Sequence, residues 1–321
     1  MIPPAGPIAI GIVGFGKIAR DQHVAAIEAN RALVLRSIAD PETDSDSTPA
    51  PVRRYPSLES MLTADEPPQA VAICTPPQAR YRIARYALER DKHVLLEKPP
   101  ATTLGELEDL RALAESRGVT LFCAWHSQFA PAVAPAREWL ATRTLRRVRI
   151  DWREDVRVWH PGQRWIWKPG GFGVFDPGIN ALSVVSRILP KGLFVRAALL
   201  KFPENCATPI AAELTLADVD ATPIVAAFDF LQAGPPTWEI AVDTDGGHLL
   251  LSHAGARLVL NGREMPLAPH AEYPRLYAHF AELIAEGRSD VDATPLTLVA
   301  DAFLLGRREA APAFFDPPAR A

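Results

Sequence analysis

The fold is decided near the start of the chain by the sequence Ile8-Ala9-Ile10-Gly11-Ile12-Val13-Gly14-Phe15-Gly16-Lys17-Ile18-Ala19. Its apolar first half predicts a buried strand, and the pattern G-x-G-x-x-A that follows predicts a tight turn into a helix. Gly14 permits the turn, Gly16 lets the backbone approach a pyrophosphate, and Ala19 allows the helix to pack closely on the strand. The N–H groups at the start of the helix favour phosphate. The stretch therefore indicates a dinucleotide-binding turn.

Short apolar runs alternate with amphipathic helical patterns from this turn to about residue 125. The predicted strands are residues 8–13, 33–39, 70–74, 93–96 and 119–124, and the predicted helices are residues 17–30, 78–90 and 103–116. Continuous Val/Ile/Leu runs separated by helices are typical of a parallel sheet covered on both faces. Residues 41–51 are polar and are predicted to form a loop. We therefore predict an α/β Rossmann domain, with a doubly wound parallel sheet, over residues 1–125.

The pattern changes after residue 125. Residues 148–158 alternate apolar and charged side chains, which predicts a strand with one face in water. Further strands are predicted at residues 194–200, 210–216, 224–230, 238–242 and 248–252, and helices at 272–285 and 296–307. Strands with few helices between them favour antiparallel pairing. We predict an α+β domain over residues 126–321, with a large, open, mostly antiparallel sheet and a last helix that could pack back on the first domain.

Composition and charge exclude several classes of protein. The formal net charge is −4, with no basic stripe for nucleic acid or membrane. No apolar run approaches the roughly 20 residues of a membrane helix, and the N-terminus lacks the features of a signal peptide. The cysteines at 74, 123 and 206 lie far apart, and no His/Cys/carboxylate group has metal-ligand spacing. We predict a cytoplasmic globular protein that binds no metal.

Asp40 closes the second predicted strand. An acid at this position accepts hydrogen bonds from the ribose hydroxyls and repels a 2′-phosphate, which favours NAD over NADP. An aspartate that simply starts a turn before Pro41 is the alternative. Arg53 and Arg54 follow the polar loop and could fold back to a 2′-phosphate. NADP therefore stays open as the second cofactor.

Glu97-Lys98-Pro99 ends the fourth predicted strand, and Cys74-Thr75-Pro76-Pro77 ends the third. Ligands of open α/β sheets bind outside the carboxyl ends of the strands. Pro99 removes a donor and restricts the backbone before it, so the direction of Lys98 is constrained. Lys98 is the leading candidate for a residue that meets the ligands.

Together the glycine turn and these two strand ends resemble the Gfo/Idh/MocA oxidoreductases, and the resemblance spans nearly the whole chain. It implies a Rossmann domain joined to a C-terminal α/β domain whose open sheet often serves oligomerisation, for example as a homodimer. It also implies that Lys98 contacts both the nicotinamide cofactor and a substrate hydroxyl. The bacterial aldose 1-dehydrogenases of this family, which act on D-galactose and L-arabinose, are similar at residues 16–23, 124–127, 152–157, 159–163 and 173–182.

The resemblance implies roles for particular residues. The cofactor would contact Gly14, Gly16, Lys17, Ile18, Asp40, Thr75, Pro76, Pro77, Glu97, Lys98 and Trp165. The sugar would contact His126, Trp152, Glu154, His160 and Trp238. The catalytic residues would be Lys98, Asp176 and Asn180.

Glu154 is informative on its own because it falls on the apolar-facing set with Trp152 and Val156. A carboxylate on a covered face is costly unless it has partners. Either it meets an arginine or lysine, or it accepts hydroxyl donors from a polar ligand. The flat indole of Trp152 beside it favours a sugar-binding wall, with an ion pair as the alternative.

Asp176-Pro177-Gly178-Ile179-Asn180 predicts the start of a helix, with Asp176 as N-cap and Pro177 at the first helical position. Asp176 and Asn180 are four residues apart, so both can project to one side. Many relatives carry a histidine base where Asn180 stands. The resemblance therefore implies that Asp176 is the base here and that Asn180 orients hydroxyls or the lysine.

These inferences predict oxidation of a cyclic aldose at C1 to a lactone, with NAD(P)+ as acceptor and a sugar of the D-galactose, L-arabinose or D-fucose type. Lys98 would hold the C1 oxygen, and Asp176 would receive the proton. One alternative is another sugar or polyol oxidoreductase of the same family. The other is a nicotinamide-binding regulator without turnover, against which the intact set of Lys98, Asp176 and Asn180 argues.

Overall fold

The computed structural model describes residues 6–42 and 51–315. Contacts between Cα atoms divide the chain into two compact units. The first comprises Met1–His126 and Glu272–Ala293, and the second comprises Ser127–Ala271 and Thr294–Ala321. Residues 272–293, which the sequence analysis assigned to the second domain, therefore belong to the first unit. The predicted polar loop at 41–51 lies mostly outside the described residues.

The strands and helices are numbered in chain order. The strands are β1 (Ile8–Val13), β2 (Leu33–Ala39), β3 (Arg53–Tyr55), β4 (Ala70–Ile73), β5 (His93–Glu97), β6 (Leu121–Ala124), β7 (Leu145–Arg153), β8 (Phe194–Pro203), β9 (Ala211–Ala217), β10 (Ile224–Asp229), β11 (Thr237–Thr244), β12 (Gly247–Ser252), β13 (Arg257–Leu260), β14 (Arg263–Glu264) and β15 (Gly306–Ala311). The helices are α1 (Val24–Glu28), α2 (Leu58–Leu62), α3 (Pro77–Leu88), α4 (Leu104–Arg117), α5 (Val133–Leu140), α6 (Val156–Trp159), α7 (Phe175–Ile188), α8 (Glu272–Glu286) and α9 (Thr294–Leu305).

The first unit is built on a parallel sheet. Within the described residues its order is β3-β2-β1-β4-β5-β6, and each neighbouring pair is parallel. The order reverses direction beside β1, and ligands of such sheets bind in the crevice that forms there, outside the carboxyl ends of the strands. Crossovers between parallel strands are right-handed as a rule, so the reversal of order beside β1 places helices on both faces of such a sheet. The predicted doubly wound fold is confirmed, and β3 and α2 are additions that were too short to show a period.

Local sequence signals fix the ends of the helices in this unit. At the start of α4, the Thr103 hydroxyl accepts from the Glu106 N–H at 3.2 Å, and the Glu106 carboxylate accepts from the Thr103 N–H at 3.3 Å. This reciprocal capping box satisfies two donors at the helix start. Gly118 ends the helix in the left-handed region, at φ 65°.

The second unit is built on a mixed sheet. In the described part of the chain its order is β14-β13-β12-β11-β7-β10-β9-β8-β15. The pairs β7–β10 and β8–β15 are parallel and the others are antiparallel. The predicted large and mostly antiparallel sheet is therefore confirmed. The prediction of a helix through residue 307 was wrong at its end, because α9 stops at Leu305 and Gly306 begins an edge strand.

The strand predicted through residue 158 ends earlier than the alternation suggested. Strand β7 stops at Arg153, and α6 follows. The Asp155 carboxylate caps this short helix by accepting from the Arg157 N–H at 3.0 Å. Val156 is buried, whereas Val158 is 66% exposed. The apolar alternation beyond Glu154 therefore belongs to a helical turn.

Helix α7 begins two residues before the predicted start. Its N-cap is Val174, so Asp176 lies in the first turn, and the prediction of Asp176 as N-cap was wrong. Gly173 precedes the helix with φ 53°, and a Cβ there would lie 2.3 Å from the Pro209 carbonyl oxygen. Only glycine fits this turn, which sets where α7 begins.

None of the helices in the described part of the chain combines the length and the apolar composition that a membrane crossing requires.

Candidate active site

The parallel sheet gathers most of the predicted cofactor residues at one edge. Because all of its strands run the same way, their carboxyl ends meet on the same side. The segments that leave this edge begin at Gly14, Asp40, Cys74, Lys98 and Trp125.

The glycine turn has the geometry that a dinucleotide requires. Gly14 has φ 85°, and a Cβ there would lie 2.8 Å from the Thr75 N–H nitrogen. A Cβ on Gly16 would meet no atom within 4 Å, so space is open in front of the helix that follows. Lys17 and Ile18 stand exposed at the start of that helix. These residues fit a bound pyrophosphate.

Asp40 holds the glycine turn from the end of β2. Its Oδ2 accepts from the Phe15 N–H at 2.6 Å, and its Oδ1 accepts from the Glu42 N–H at 2.8 Å. Asp40 therefore does start a turn before Pro41, as the alternative in the sequence analysis predicted. Each carboxylate oxygen has a second lone pair, so the same side chain can still accept from a ribose.

Thr75, Pro76 and Pro77 connect β4 to α3, with Pro77 as the first residue of the helix. Arg80, one turn further on, is a buried arginine that the sequence analysis missed. Its guanidinium donates to the backbone carbonyls of Thr75, Glu97 and Pro99. It thereby ties the segments after β4 and β5 together. The sequence feature that could have indicated this role is an arginine on the buried face of a predicted helix.

Glu97 is buried at the end of β5 and receives three hydrogen bonds from the protein. Its Oε1 accepts from Tyr273 at 2.7 Å and from His23 Nε2 at 3.1 Å, and its Oε2 accepts from the Lys98 N–H at 2.7 Å. The carboxylate therefore fixes the backbone from which the Lys98 side chain leaves. A direct contact of Glu97 with cofactor stays a prediction.

Glu97 and His23 form a buried ion pair. Burial alone would raise the pKa of Glu97, but the hydrogen bond and charge of His23, with smaller effects of His126 and Tyr273, lower it to about 2. Burial alone would lower the pKa of His23, but the Cys74 sulfur and the Glu97 carboxylate together raise it to about 10. The nearer of the two is Glu97, whose oxygen lies 3.1 Å from Nε2, whereas Cys74 Sγ is 3.7 Å away.

Helix α8 supplies the other partners of this ion pair. Tyr277 lies 2.6 Å from His23 Nδ1, and burial raises the pKa of Tyr273 well above its usual range, so its hydroxyl remains a donor to Glu97. His126 stacks on Tyr273, with 5.3 Å between ring centroids, and its Nδ1 lies 2.7 Å from Glu272 Oε2. The sequence analysis missed the role of α8. The sequence feature that could have indicated it is the presence of Glu272, Tyr273 and Tyr277 on the apolar face of α8.

The second unit contains its own cluster of predicted site residues. Asp176 is buried in the first turn of α7, and Asn180 is half-buried one turn later. Glu154 is buried just beyond the end of β7, where Oε1 lies 2.8 Å from His160 Nε2 and Oε2 accepts from Trp238 Nε1 at 2.8 Å. The protein partners of Glu154 are a histidine and a tryptophan, and not the predicted arginine or lysine, whereas its contact with a ligand hydroxyl stays a prediction.

Three indoles lie beside Glu154. The ring of Trp238 is 6.2 Å from that of Trp152 and 4.8 Å from that of Trp159, centroid to centroid. Trp152 is buried, whereas Trp159 is 44% exposed. Trp165 is half-buried in the short turn Arg164–Trp167.

Within residues 6–42 and 51–315, no group of three or more His, Cys, Asp or Glu side chains has the arrangement of a metal site.

Comparisons with known proteins agree with this architecture. A family model described as "Oxidoreductase family, NAD-binding Rossmann fold" matches residues 8–124. Galactose 1-dehydrogenase from Pseudomonas fluorescens is 47% identical over 311 residues, which cover 97% of this chain and 99% of that protein. The crystal structure of D-galactose-1-dehydrogenase from Rhizobium etli matches with a TM-score of 0.92 and 48% identity, over 98% of this chain and 100% of that one.

A more distant structure shares the fold. A 3-ketoreductase from Actinomadura kijaniata, crystallised with TDP-benzene and NADP, matches with a TM-score of 0.83 at 18% identity, over 96% of this chain and 100% of that one. The chain belongs to the Gfo/Idh/MocA family of oxidoreductases. It is a nicotinamide-dependent enzyme, as the sequence analysis predicted.

The Glu97–His23 pair predicts how the stability of the protein depends on pH. Its Glu97 part is complete above the ordinary pKa of 4.5 and is lost as the pH falls toward 2. Its His23 part is complete below the ordinary pKa of 6.5 and is lost as the pH rises toward 10. We expect Glu97→Gln to lower the free energy of unfolding by about 3 kcal/mol between pH 4.5 and 6.5, and by less on either side.

Urea unfolding at a series of pH values measures this difference. Glu28→Gln, on the exposed face of α1, is the matched control and should differ little from wild type at any pH. A Glu97→Gln deficit that stays constant across the whole range would contradict the ion pair.

Proposed function

We propose that this chain is an aldose 1-dehydrogenase that oxidises C1 of a cyclic sugar of the D-galactose type to the lactone. The observation that carries the proposal is the 47% identity with galactose 1-dehydrogenase over 97% of this chain and 99% of that protein. L-Arabinose and D-fucose share the C2–C4 hydroxyl pattern of D-galactose and are proposed as further substrates.

Lys98 is proposed to bind the C1 oxygen. Its ammonium would stabilise the negative charge that develops there as the hydroxyl loses its proton. The backbone on both sides of Lys98 is fixed, because Glu97 accepts from the Lys98 N–H and Arg80 donates to the carbonyls of Glu97 and Pro99. A lysine on an anchored backbone loses less freedom on binding substrate.

Asp176 is proposed to take the hydroxyl proton, and Asn180 to orient the sugar hydroxyls from the next turn of α7. The nicotinamide, when bound, accepts the hydride from C1. The wall of Trp152, Trp159 and Trp238 would pack on the apolar face of the sugar ring. His126, whose Nδ1 is bonded to Glu272, would contact a hydroxyl through its other ring nitrogen.

NAD is proposed as the preferred cofactor and NADP as the second. Asp40 ends β2, where a dinucleotide-binding fold receives the adenosine ribose. Its negative charge would repel a 2′-phosphate. Gly14, Gly16, Thr75, Pro76 and Pro77 would line the cofactor from the ends of β1 and β4. Trp165 is proposed as a further cofactor contact.

Self-association as a dimer is proposed through one face of the mixed sheet. The resemblance implies that the open sheet of such proteins often serves oligomerisation. Val225, on β10 near the middle of the sheet, is 46% exposed and would be covered by a second copy packed on that face. Light scattering tests the proposal, and a monomeric mass for wild type would contradict it.

The function is tested with a panel of aldoses and polyols, each with NAD and NADP, by following nicotinamide reduction. We expect D-galactose, D-fucose and L-arabinose to be oxidised, D-glucose and inositols to react poorly, and NAD to be preferred. Lys98→Met should lower kcat/KM at least about 1,000-fold because charge stabilisation at the reacting oxygen is lost.

Lys92→Met, directly before the amino end of β5, is the matched control and should retain wild-type activity. Turnover of inositols in preference to aldoses, or activity retained in Lys98→Met, would refute the proposed function.

A further inference from the structure

His160 lies between two buried carboxylates in the second unit. Its Nε2 is 2.8 Å from Glu154 Oε1, and its Nδ1 is 3.5 Å from Asp176 Oδ2. Both carboxylates are almost fully buried. The three residues come from the end of β7, the turn after α6 and the first turn of α7. No motif in the sequence connects them.

The hydrogen bonds of Glu154 decide which nitrogen of His160 carries a proton. An ionised carboxylate only accepts hydrogen bonds. Glu154 takes one from Trp238 on Oε2, so its Oε1 must be accepting from a proton on His160 Nε2. In the neutral ring, Nδ1 then carries a lone pair.

This lone pair faces another acceptor. Nδ1 of His160 is buried, and within the described residues no hydrogen-bond partner reaches it. The Asp176 carboxylate 3.5 Å away is itself an acceptor when ionised. Two acceptors in a buried site repel each other until a proton enters between them. The pair therefore gains from taking up one proton.

An aromatic ring also packs against His160. The ring of Phe230, after β10, lies 5.5 Å from the His160 ring, centroid to centroid. Within the described residues, carboxylates lie close to both of its ring nitrogens, Glu154 at Nε2 and Asp176 at Nδ1.

We propose that Asp176 and His160 act together as the base of the reaction, with Glu154 as the residue that positions the ring. The proposal rests on the proposed function. The C1 hydroxyl gives its proton to Asp176, and the proton is then shared with Nδ1 of His160. The O–H and C1–H bonds break, a C1=O double bond forms, the hydride leaves to the oxidised nicotinamide, and the proton ends between Asp176 and His160.

His160 lies outside helix α7 and brings an imidazole to the carboxylate of Asp176. His160 is thus assigned to Asp176, and not to a sugar hydroxyl as the resemblance implied.

The test is the pH dependence of kcat in His160→Gln. The glutamine amide can still donate to Glu154, but it cannot take up a proton. We expect kcat to fall about 100-fold, KM for D-galactose to change less than about threefold, and the acid limb of the profile to move at least about one unit lower. His160→Asn is measured in parallel, so the result does not depend on how one variant folds.

Two results would overturn the proposal. One is that the His160 variants are active and the acid limb of their kcat profile lies at the same pH as in wild type or at a higher pH. The other is a large rise in KM for D-galactose with kcat retained, as expected for a histidine that binds the sugar. If wild type oxidises no aldose at C1, the proposed function is refuted, but the pairing of His160 with Asp176 is not yet tested. A second readout, which needs no substrate, then tests that pairing.

That readout is the nitrogen NMR spectrum of His160 in the enzyme without substrate. In Asp176→Asn we expect the ring to take up its second proton at lower pH than in wild type, because the neutral amide no longer stabilises the imidazolium. Asp155→Asn, whose carboxylate pairs with Arg157, is the matched control and should leave the titration unchanged. An identical titration in Asp176→Asn and wild type would also overturn the pairing.

Discussion

A carboxylate that is buried in a protein must receive its hydrogen bonds from the protein itself. Two buried glutamates, one in each unit, obtain these hydrogen bonds from the same kinds of residue. Glu97 in the first unit is bonded to His23 and Tyr273, and Glu154 in the second is close to His160 and bonded to Trp238. In each case a histidine and an aromatic donor satisfy the charge. Each buried carboxylate also lies beside a residue of the proposed chemistry.

In the first unit the constraint explains why helix α8 joins the Rossmann sheet although it comes late in the chain. Without Tyr273 and Tyr277, the Glu97–His23 pair would lack two of its partners. Glu97 in turn holds the N–H of Lys98. The direction of the lysine therefore depends on residues that are far from it in sequence and that would never touch a substrate.

In the second unit the constraint acts on a histidine. Because Glu154 occupies Nε2 of His160, the ring turns Nδ1 toward Asp176. The buried carboxylate of Glu154 thereby sets the tautomer of His160. Trp238 has two roles. Its indole N–H donates to Glu154, and its ring packs near that of Trp152 in the proposed sugar-binding wall.

Sequence reasoning found the parts of the molecule that periodicity and short motifs encode. The strand at residues 33–39 was predicted with the bounds that the structure has, and the Rossmann fold followed from the glycine turn and regular βα units. Short elements such as β3 were missed because three residues show no period. Asp176 was taken for an N-cap because helix α7 begins earlier, where Gly173 fits a turn that only tertiary contacts reveal.

The partners of the site were beyond sequence reasoning for a related reason. Arg80, Tyr273 and the pairing of His160 with Asp176 depend on side chains that meet across the fold. A buried polar residue on an apolar helix face signals that it has a partner, but it does not say which. The phase of Glu154 along β7 correctly indicated burial, yet its donors lie on α6's following turn and on β11.

The central claim is the proposal that this protein oxidises the C1 carbon of an aldose. The most direct measurement compares D-[1-²H]galactose with D-[2-²H]galactose and follows the deuterium in the sugar product by NMR. The account predicts a lactone that has lost the deuterium from C1 and retained it at C2. An oxidised product that keeps its C1 deuterium would contradict the account.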